Sequence, residues 1–137
     1  MKWGKISNSK SKYGNSKVKR GGLTFDSQLE YQHFLLLLNR FKNGEIKDFA
    51  RQVRIELTAN AKAHADKVFY VADFVFYDNA LQSWIVWDSK GMKTDTYIIK
   101  RKWLLDSFCG FIFIEHTSKE QKQYTPNGKI HLKIKFK

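Results

Sequence analysis

The chain has 137 residues, 25 Lys plus Arg against 13 Asp plus Glu, one Cys and one Pro, which is one domain's worth of chain. A composition 42% apolar and 15% aromatic excludes wholesale disorder. No apolar run is long enough to cross a membrane, and the lone Cys109 excludes an internal disulfide or a Cys-rich zinc site. The net charge of +12 gathers at the two ends around a neutral middle, a distribution suited to a polyanionic partner.

Residues 1–22 hold seven basic residues and no acid among Ser, Asn and Gly, and read as a flexible basic arm. They contain no apolar stretch, so no secretory signal is expected and the protein is read as soluble and cytoplasmic. A helical pattern follows from Ser27 to about Asn43, with Leu29, Phe34, Leu37, Leu38 and Phe41 as its stripe and Gly44 to end it. Residues 46–57 alternate, Val53, Ile55 and Leu57 against Gln52, Arg54 and Glu56, which predicts a half-exposed strand. Lys67 to Tyr77 predicts a buried strand, and Trp84 to Ser89 a second one. With Asp78-Asn79-Ala80 as the turn, they make a hairpin.

Asp95 is placed to cap a helix reaching about Phe108, with Tyr97, Ile98, Arg101, Leu104, Leu105 and Phe108 facing inward. Phe111 to Glu115 is a short apolar strand. A strand–helix–strand succession crosses over right-handed, so 84–89 and 111–115 should run parallel in one sheet. After the Thr125-Pro126-Asn127-Gly128 turn, Ile130, Leu132, Ile134 and Phe136 alternate with His131, Lys133, Lys135 and Lys137. This predicts an amphipathic edge strand with a basic outer face. The expected architecture is α/β, in the order α-β-β-β-α-β. A core at 23–118 lies between the arm at 1–22 and a basic hairpin or strand extension at 119–137.

Buried strands rarely carry charge unless it is paired or used. Asp73 interrupts the apolar run Phe69 to Tyr77, while Asp88 and Lys90 end the run from Trp84. Asp88 and Lys90, two apart, share a face. A four-residue loop 79–82 would pair 78 with 83 and therefore 73 with 88, bringing two carboxylates and an ammonium together. Like charges that close need a cation between them or a proton on one, and a hard divalent ion such as Mg²⁺ satisfies that need. The plain alternative is a structural Asp–Lys pair at a strand end with Asp73 on an exposed edge. Glu30 stands in the Ser27-x-x-Glu30 spacing of a capping box, reaching back to the Ser27 amide. It also falls in line with the helix stripe that should face the sheet, and the two roles are compatible.

Phe25-Asp26-Ser27-Gln28-Leu29-Glu30, Tyr70-Val71-Ala72-Asp73-Phe74 and Val86-Trp87-Asp88-Ser89-Lys90-Gly91 together resemble the PD-(D/E)XK nuclease signature. The likeness is nearest to small phage-encoded endonucleases of the Holliday junction resolvase type and covers about residues 10–117. It takes in Ser11 to Asn15, Gln52 and Lys93. Ala72 stands where the signature often has Pro, and Asp88 where it more often has Glu. The resemblance implies a restriction-endonuclease-like core and a Mg²⁺-dependent DNA endonuclease, with Mn²⁺ able to substitute. It further implies that Asp73, Asp88 and the Ser89 carbonyl hold the ion, with Glu30 completing this site or a second one. Lys90 would orient the nucleophile or stabilise the phosphoryl oxygens.

The implied partners are branched DNA and a second copy of the chain, since a four-way junction needs two symmetric cuts. The implied location is the host cytoplasm if the chain is phage-encoded. Lys10, Lys12, Tyr13, Asn15, Lys17, Lys19 and Arg20 are the arm's candidate DNA contacts. Gln52, Lys93, Lys133 and Lys135 are those of the core and the C-terminal segment. A nicking, mismatch or restriction-type nuclease, or a non-catalytic nucleic-acid-binding module, remains the alternative. His33, His64, His116 and His131 lack ligand spacing and are expected to be ordinary core or surface residues. Cys109 and most of the tryptophans are expected to pack as apolar groups, with Trp3 in the arm the one candidate for base stacking.

Overall fold

The computed structural model describes residues 17–58 and 66–134. Lys10, Lys12, Tyr13 and Asn15 of the arm lie outside the described residues, as do Trp3, His64 and Lys135. The described residues begin within the segment read as the arm. β1 (Val18–Arg20) and β2 (Leu23–Phe25) form a hairpin whose turn residues, Gly21 and Gly22, sit at φ 57° and 82°. Two consecutive positive φ values are what a two-residue turn matched to strand twist requires.

The helix α1 (Gln28–Lys42) starts as its capping sequence dictates, with the Ser27 hydroxyl accepting from the Glu30 N–H at 3.1 Å. Its buried positions are Glu30, His33 and Leu37, whereas Phe41 is exposed. The stripe is rotated because two polar side chains near the helix start, Glu30 and His33, bond to the sheet and its N-terminal flank and fix the helix about its axis. Next come β3 (Ile46–Glu56), β4 (Phe69–Asp78), β5 (Ser83–Ser89) and α2 (Asp95–Ser107). The N-cap of α2 is Thr94, not Asp95; its hydroxyl accepts from the Tyr97 N–H, and Asp95 sits in the first turn, where its charge suits the helix dipole. Ile98, placed inward by periodicity, is partly exposed, while Tyr97 and Leu104 are buried.

β6 (Phe108–Cys109), β7 (Phe111–His116), β8 (Gln121–Tyr124) and β9 (Ile130–His131) complete the chain. The main sheet has five strands in the order β3-β4-β5-β7-β8, with β5 and β7 parallel as expected and its other neighbours antiparallel. This is the α/β architecture, with elements in the order the pattern predicts. The C-terminal strand departs from expectation. The sheet edge is β8, and β9 pairs only with β6, in parallel. Gly128 is the cause: a Cβ there would lie 1.9 Å from the Ser107 carbonyl carbon, so the bare glycine lets the chain seat directly on the end of α2. Asn127 and Gly128 donate to the Leu105 and Phe108 carbonyls, and Ile130, Leu132 and Ile134 then pack into the core while His131 and Lys133 face out.

Two apolar clusters sandwich the sheet. One, on the α2 side, contains Ile55, Tyr70, Ala72, Val75, Val86 and Phe113; the other, on the α1 side, contains Leu37, Phe74, Phe76, Ile85 and Trp87. Ala72 and Phe74 are two apart in β4 yet belong to opposite clusters, so the strand changes face at Asp73. β3 does the same between Phe49 and Val53, through Gln52 at φ 51°. The register Arg51↔Phe74 and Val53↔Ala72 sets Gln52 opposite Asp73, so both strands switch at one point.

Candidate active site

An open cleft lies where this switch meets the start of α1 and the end of β5. Asp26, Ser27 and Glu30 line it from the helix start, Asp73 from β4, and Ser89, Lys90, Gly91 and Met92 from the exit of β5. The hairpin has the anticipated register: Asp78 pairs with Ser83 across residues 79–82, which sets Asp73 opposite Asp88. The two are wired reciprocally. The Asp73 N–H donates to Asp88 Oδ1 at 3.3 Å, and the Ser89 N–H donates to Asp73 Oδ2 at 2.8 Å.

Asp88 does not line the cleft. It lies fully buried behind the wall, and its Oδ2 has no hydrogen-bond partner among the described residues. Lys90 bridges the two regions, lining the cleft while its ammonium stands 3.8 Å from Asp88 Oδ1. Asp88 and Lys90 thus share a face, as two residues of alternating strand should.

Glu30 is 1% exposed and well supplied with donors. Its Oε1 accepts from the Asp26 N–H at 2.9 Å, not from the Ser27 amide a standard capping box would use. Its Oε2 accepts from Gln52 Nε2 at 2.8 Å and faces Arg51 Nη2 at 3.7 Å. Gln52, expected as a DNA contact, therefore spends its amide on the acids; the same nitrogen reaches Asp73 Oδ1 at 3.4 Å. Carboxylate oxygens of Asp26, Glu30 and Asp73 lie within 4.8 Å of one another.

Asp26 and Arg51 escaped the sequence reading. An acid just before an N-cap reads as a helix-dipole complement, and nothing in an alternating strand marks one Arg as turned toward an acid. Arg51 is held there by its stacking on Phe25, 4.1 Å from ring centroid to guanidinium.

Burial, with the repulsion of Asp73, pushes the Glu30 carboxyl up to about 7. Burial pushes Asp88 up to about 7 as well, against the pull of Lys90 and the Asp73 amide. Asp73 is raised by burial too, although Lys90 and the Ser89 N–H oppose it. Three carboxyls near one cleft are therefore biased toward protonation or toward a cation. Glu115, beside Asp88 in register, goes the other way. Its burial is outweighed by Lys93 at 2.8 Å, Tyr97 Oη at 2.7 Å and Arg101, which hold its pKa below the usual range.

His33 is not a surface histidine. It is buried and stacked on His116 at 4.2 Å, and its Nδ1 pairs with Ser89 Oγ at 2.5 Å. Trp87 Nε1 donates to the same hydroxyl at 3.3 Å. Burial and the neighbouring His116 lower the His33 pKa to about 4, which keeps that ring neutral. One turn after Glu30, this bond ties α1 to the end of β5.

Among the proposed DNA contacts, Lys17 pairs with Asp26 at 2.9 Å and Lys93 with Glu115. Arg20 lies over the Tyr31 ring, while Lys19 and Lys133 face outward. No helix among the described residues is long and apolar enough to cross a membrane.

Fold and site together define a small α/β domain with a carboxylate-rich cleft at the point where its sheet changes face. The chain belongs to DUF1064, a protein family of unknown function, whose model matches residues 10–113. That stretch includes Glu30, Asp73, Asp88 and Lys90. No curated protein and no solved structure matches the chain.

Proposed function

We propose that the protein is a divalent-cation-dependent DNA endonuclease acting on branched DNA, from the cytoplasm and as a homodimer. The observation that carries this reading is the Asp73–Asp88 pair: two buried carboxyls wired across a hairpin, one with an orphaned oxygen, beside a lysine that opens on the cleft.

The donor set fits a hard ion such as Mg²⁺. It consists of carboxylate oxygens with Asp26, Glu30 and Asp73 within mutual reach, and it carries more negative charge than its local donors offset. Asp26, Glu30 and Asp73 would hold the ion on the cleft side, with Asp88, wired to Asp73, behind them. Such an ion supplies Lewis-acid polarisation of a phosphate and a bound water acidic enough to act near neutral pH. Lys90 lines the cleft and carries an ammonium that can bond a phosphoryl oxygen or orient the attacking water. Gln52 holds Glu30 and Asp73 at fixed spacing. Lys19, Arg20 and Lys133 supply charge for the backbone without sequence information.

A second reading, a non-catalytic nucleic-acid-binding module, draws on Glu30, both of whose oxygens already accept hydrogen bonds. One experiment separates them: cleavage of four-way junction, flap and linear duplex DNA in Mg²⁺, Mn²⁺ or EDTA, with Asp73→Asn alongside. Metal-dependent cutting of the branched substrates that Asp73→Asn abolishes, with DNA binding in EDTA retained, is the expected result. No cutting of any substrate with either ion leaves the binding module.

A further inference from the structure

We infer that Tyr97 is the seat of the Lys90 ammonium, a positioning residue that fixes where the lysine points; as far as catalysis is concerned, this rests on the nuclease reading above. The Lys90 ammonium lies 4.3 Å from the centroid of the Tyr97 ring. Its other close partner, Asp88 Oδ1, is at 3.8 Å, too long for a good hydrogen bond. The ring face is therefore a second constraint on a flexible side chain beside that long ion pair, and an aromatic face attracts an ammonium through its quadrupole.

The seat is itself immobilised. Tyr97 stands in the first turn of α2, its N–H bound to the capping hydroxyl of Thr94. The ring is 8% exposed, and its hydroxyl donates to Glu115 at 2.7 Å. Glu115 in turn is gripped by Lys93 and Arg101, with Tyr124 Oη at 3.5 Å. Arg101 also lies over the Tyr97 ring, 5.4 Å from its centroid. Burial, with Asp88 and Glu115 nearby, drives the phenol pKa far upward, so the hydroxyl remains a donor.

The chain of contacts runs from α2 and β7 to the tip of β5 and ends on one nitrogen. Lys93, a candidate DNA contact in the sequence, and Arg101 are both committed to this frame. Lys90 is the lysine that lines the cleft.

The test compares Tyr97→Phe, which keeps the ring, Tyr97→Met, which keeps bulk alone, and pentafluorophenylalanine incorporated at position 97, which keeps shape but inverts the quadrupole. The first readout needs neither DNA nor metal: the rate at which acetic anhydride acylates Lys90, normalised to exposed lysines of the same chain. Tyr97→Phe should stay within about twofold of wild type, while the fluorinated ring and Tyr97→Met should each raise the rate about fivefold. The second readout is cleavage, where kcat should fall about tenfold in Tyr97→Met with KM for DNA unchanged, and recover in Tyr97→Phe. Equal acylation of Lys90 with the fluorinated and unfluorinated rings overturns the inference, whether or not Tyr97→Met folds. A wild type that cuts no DNA overturns the nuclease reading instead, and the acylation comparison still decides the seat.

Discussion

Replacing Asp88 with Asn isolates the energetic burden of the buried carboxyl. Its pKa is displaced from 3.8 to about 7, chiefly by burial. Between those values the folded chain holds a proton that the unfolded chain has released, so stability falls as pH rises through the window. At about 1.4 kcal/mol per pH unit, the metal-free wild type should lose about 2 to 3 kcal/mol between pH 5 and pH 8 from this group alone. Asp88→Asn removes that slope, since the amide does not titrate. Its oxygen can still accept the Asp73 N–H, but its NH₂ falls where Oδ2 has no partner, a defect of about 1 to 3 kcal/mol at every pH. The variant should therefore be the less stable protein at pH 5 and draw level with or overtake wild type by pH 8. Glu30, also raised, is common to both chains and cancels to first order in the difference. Urea unfolding in EDTA at pH 5, 6, 7 and 8 measures this directly. A difference between the two chains that stays flat with pH, within about 0.5 kcal/mol, would refute the reasoning.

Asp78 should behave in the opposite sense, because the Leu81 and Ala80 amides and Arg40 at 2.9 Å overcome its burial and hold its pKa below the usual value. Arg40→Met should cost about 1 to 2 kcal/mol at neutral pH, with the cost fading as pH drops through the depressed pKa; urea midpoints at pH 7 and pH 3 check it. Gly128→Ala should destabilise by about 3 kcal/mol, since the new Cβ meets backbone and not a yielding side chain; the Leu132 amide, bonded to the Cys109 carbonyl, should lose hydrogen-exchange protection. Deleting residues 1–16 removes Lys2, Lys5, Lys10 and Lys12, and the slope of log affinity against log salt should flatten by about 0.9 for each phosphate these lysines had neutralised. Preference for branched over linear DNA should fall with it, which parallel titrations of the two substrates will show.

The hairpin and its acids were legible because period two, a short turn and charge inside apolar strands are local signals. They fixed the 78–83 register and the facing of Asp73 and Asp88 without tertiary information. What escaped is non-local. Gln52 and Asp73 sit at a face switch that no single strand's alternation announces, since each strand taken alone still looks regular on either side of the break. Arg51 is placed by two aromatic rings from other elements, and His33 by a hydroxyl 56 residues away. The last strand was expected at a sheet edge with a basic outer face; Ile130 to Ile134 keep that alternation, but β9 pairs with β6 and the edge of the main sheet is β8. Alternation reports burial, while pairing was decided by how closely Gly128 could approach the end of α2.

Asp88 and Glu115 make the physical case for a site more sharply than either does alone. They face each other in adjacent parallel strands, and both side chains are fully buried. Around Glu115 the fold assembles an ammonium, a guanidinium and a phenol, and its carboxyl is held acidic. Around Asp88 it supplies one long hydrogen bond and one distant ammonium, leaves an oxygen with no partner among the described residues, and lets the carboxyl rise to about 7. Burial raises both carboxyls, and only at Glu115 do neighbouring donors outweigh it. A chain that satisfies one carboxylate so fully has the means to satisfy its neighbour. Arg101 and Lys93 are committed one strand over, toward Glu115. The deficit at Asp88 is a cost the folded state carries in the absence of a cation, and it falls on the residue wired to Asp73, whose own carboxyl opens on the cleft. An incoming divalent ion would remove that cost, which links its binding to stability as well as to chemistry.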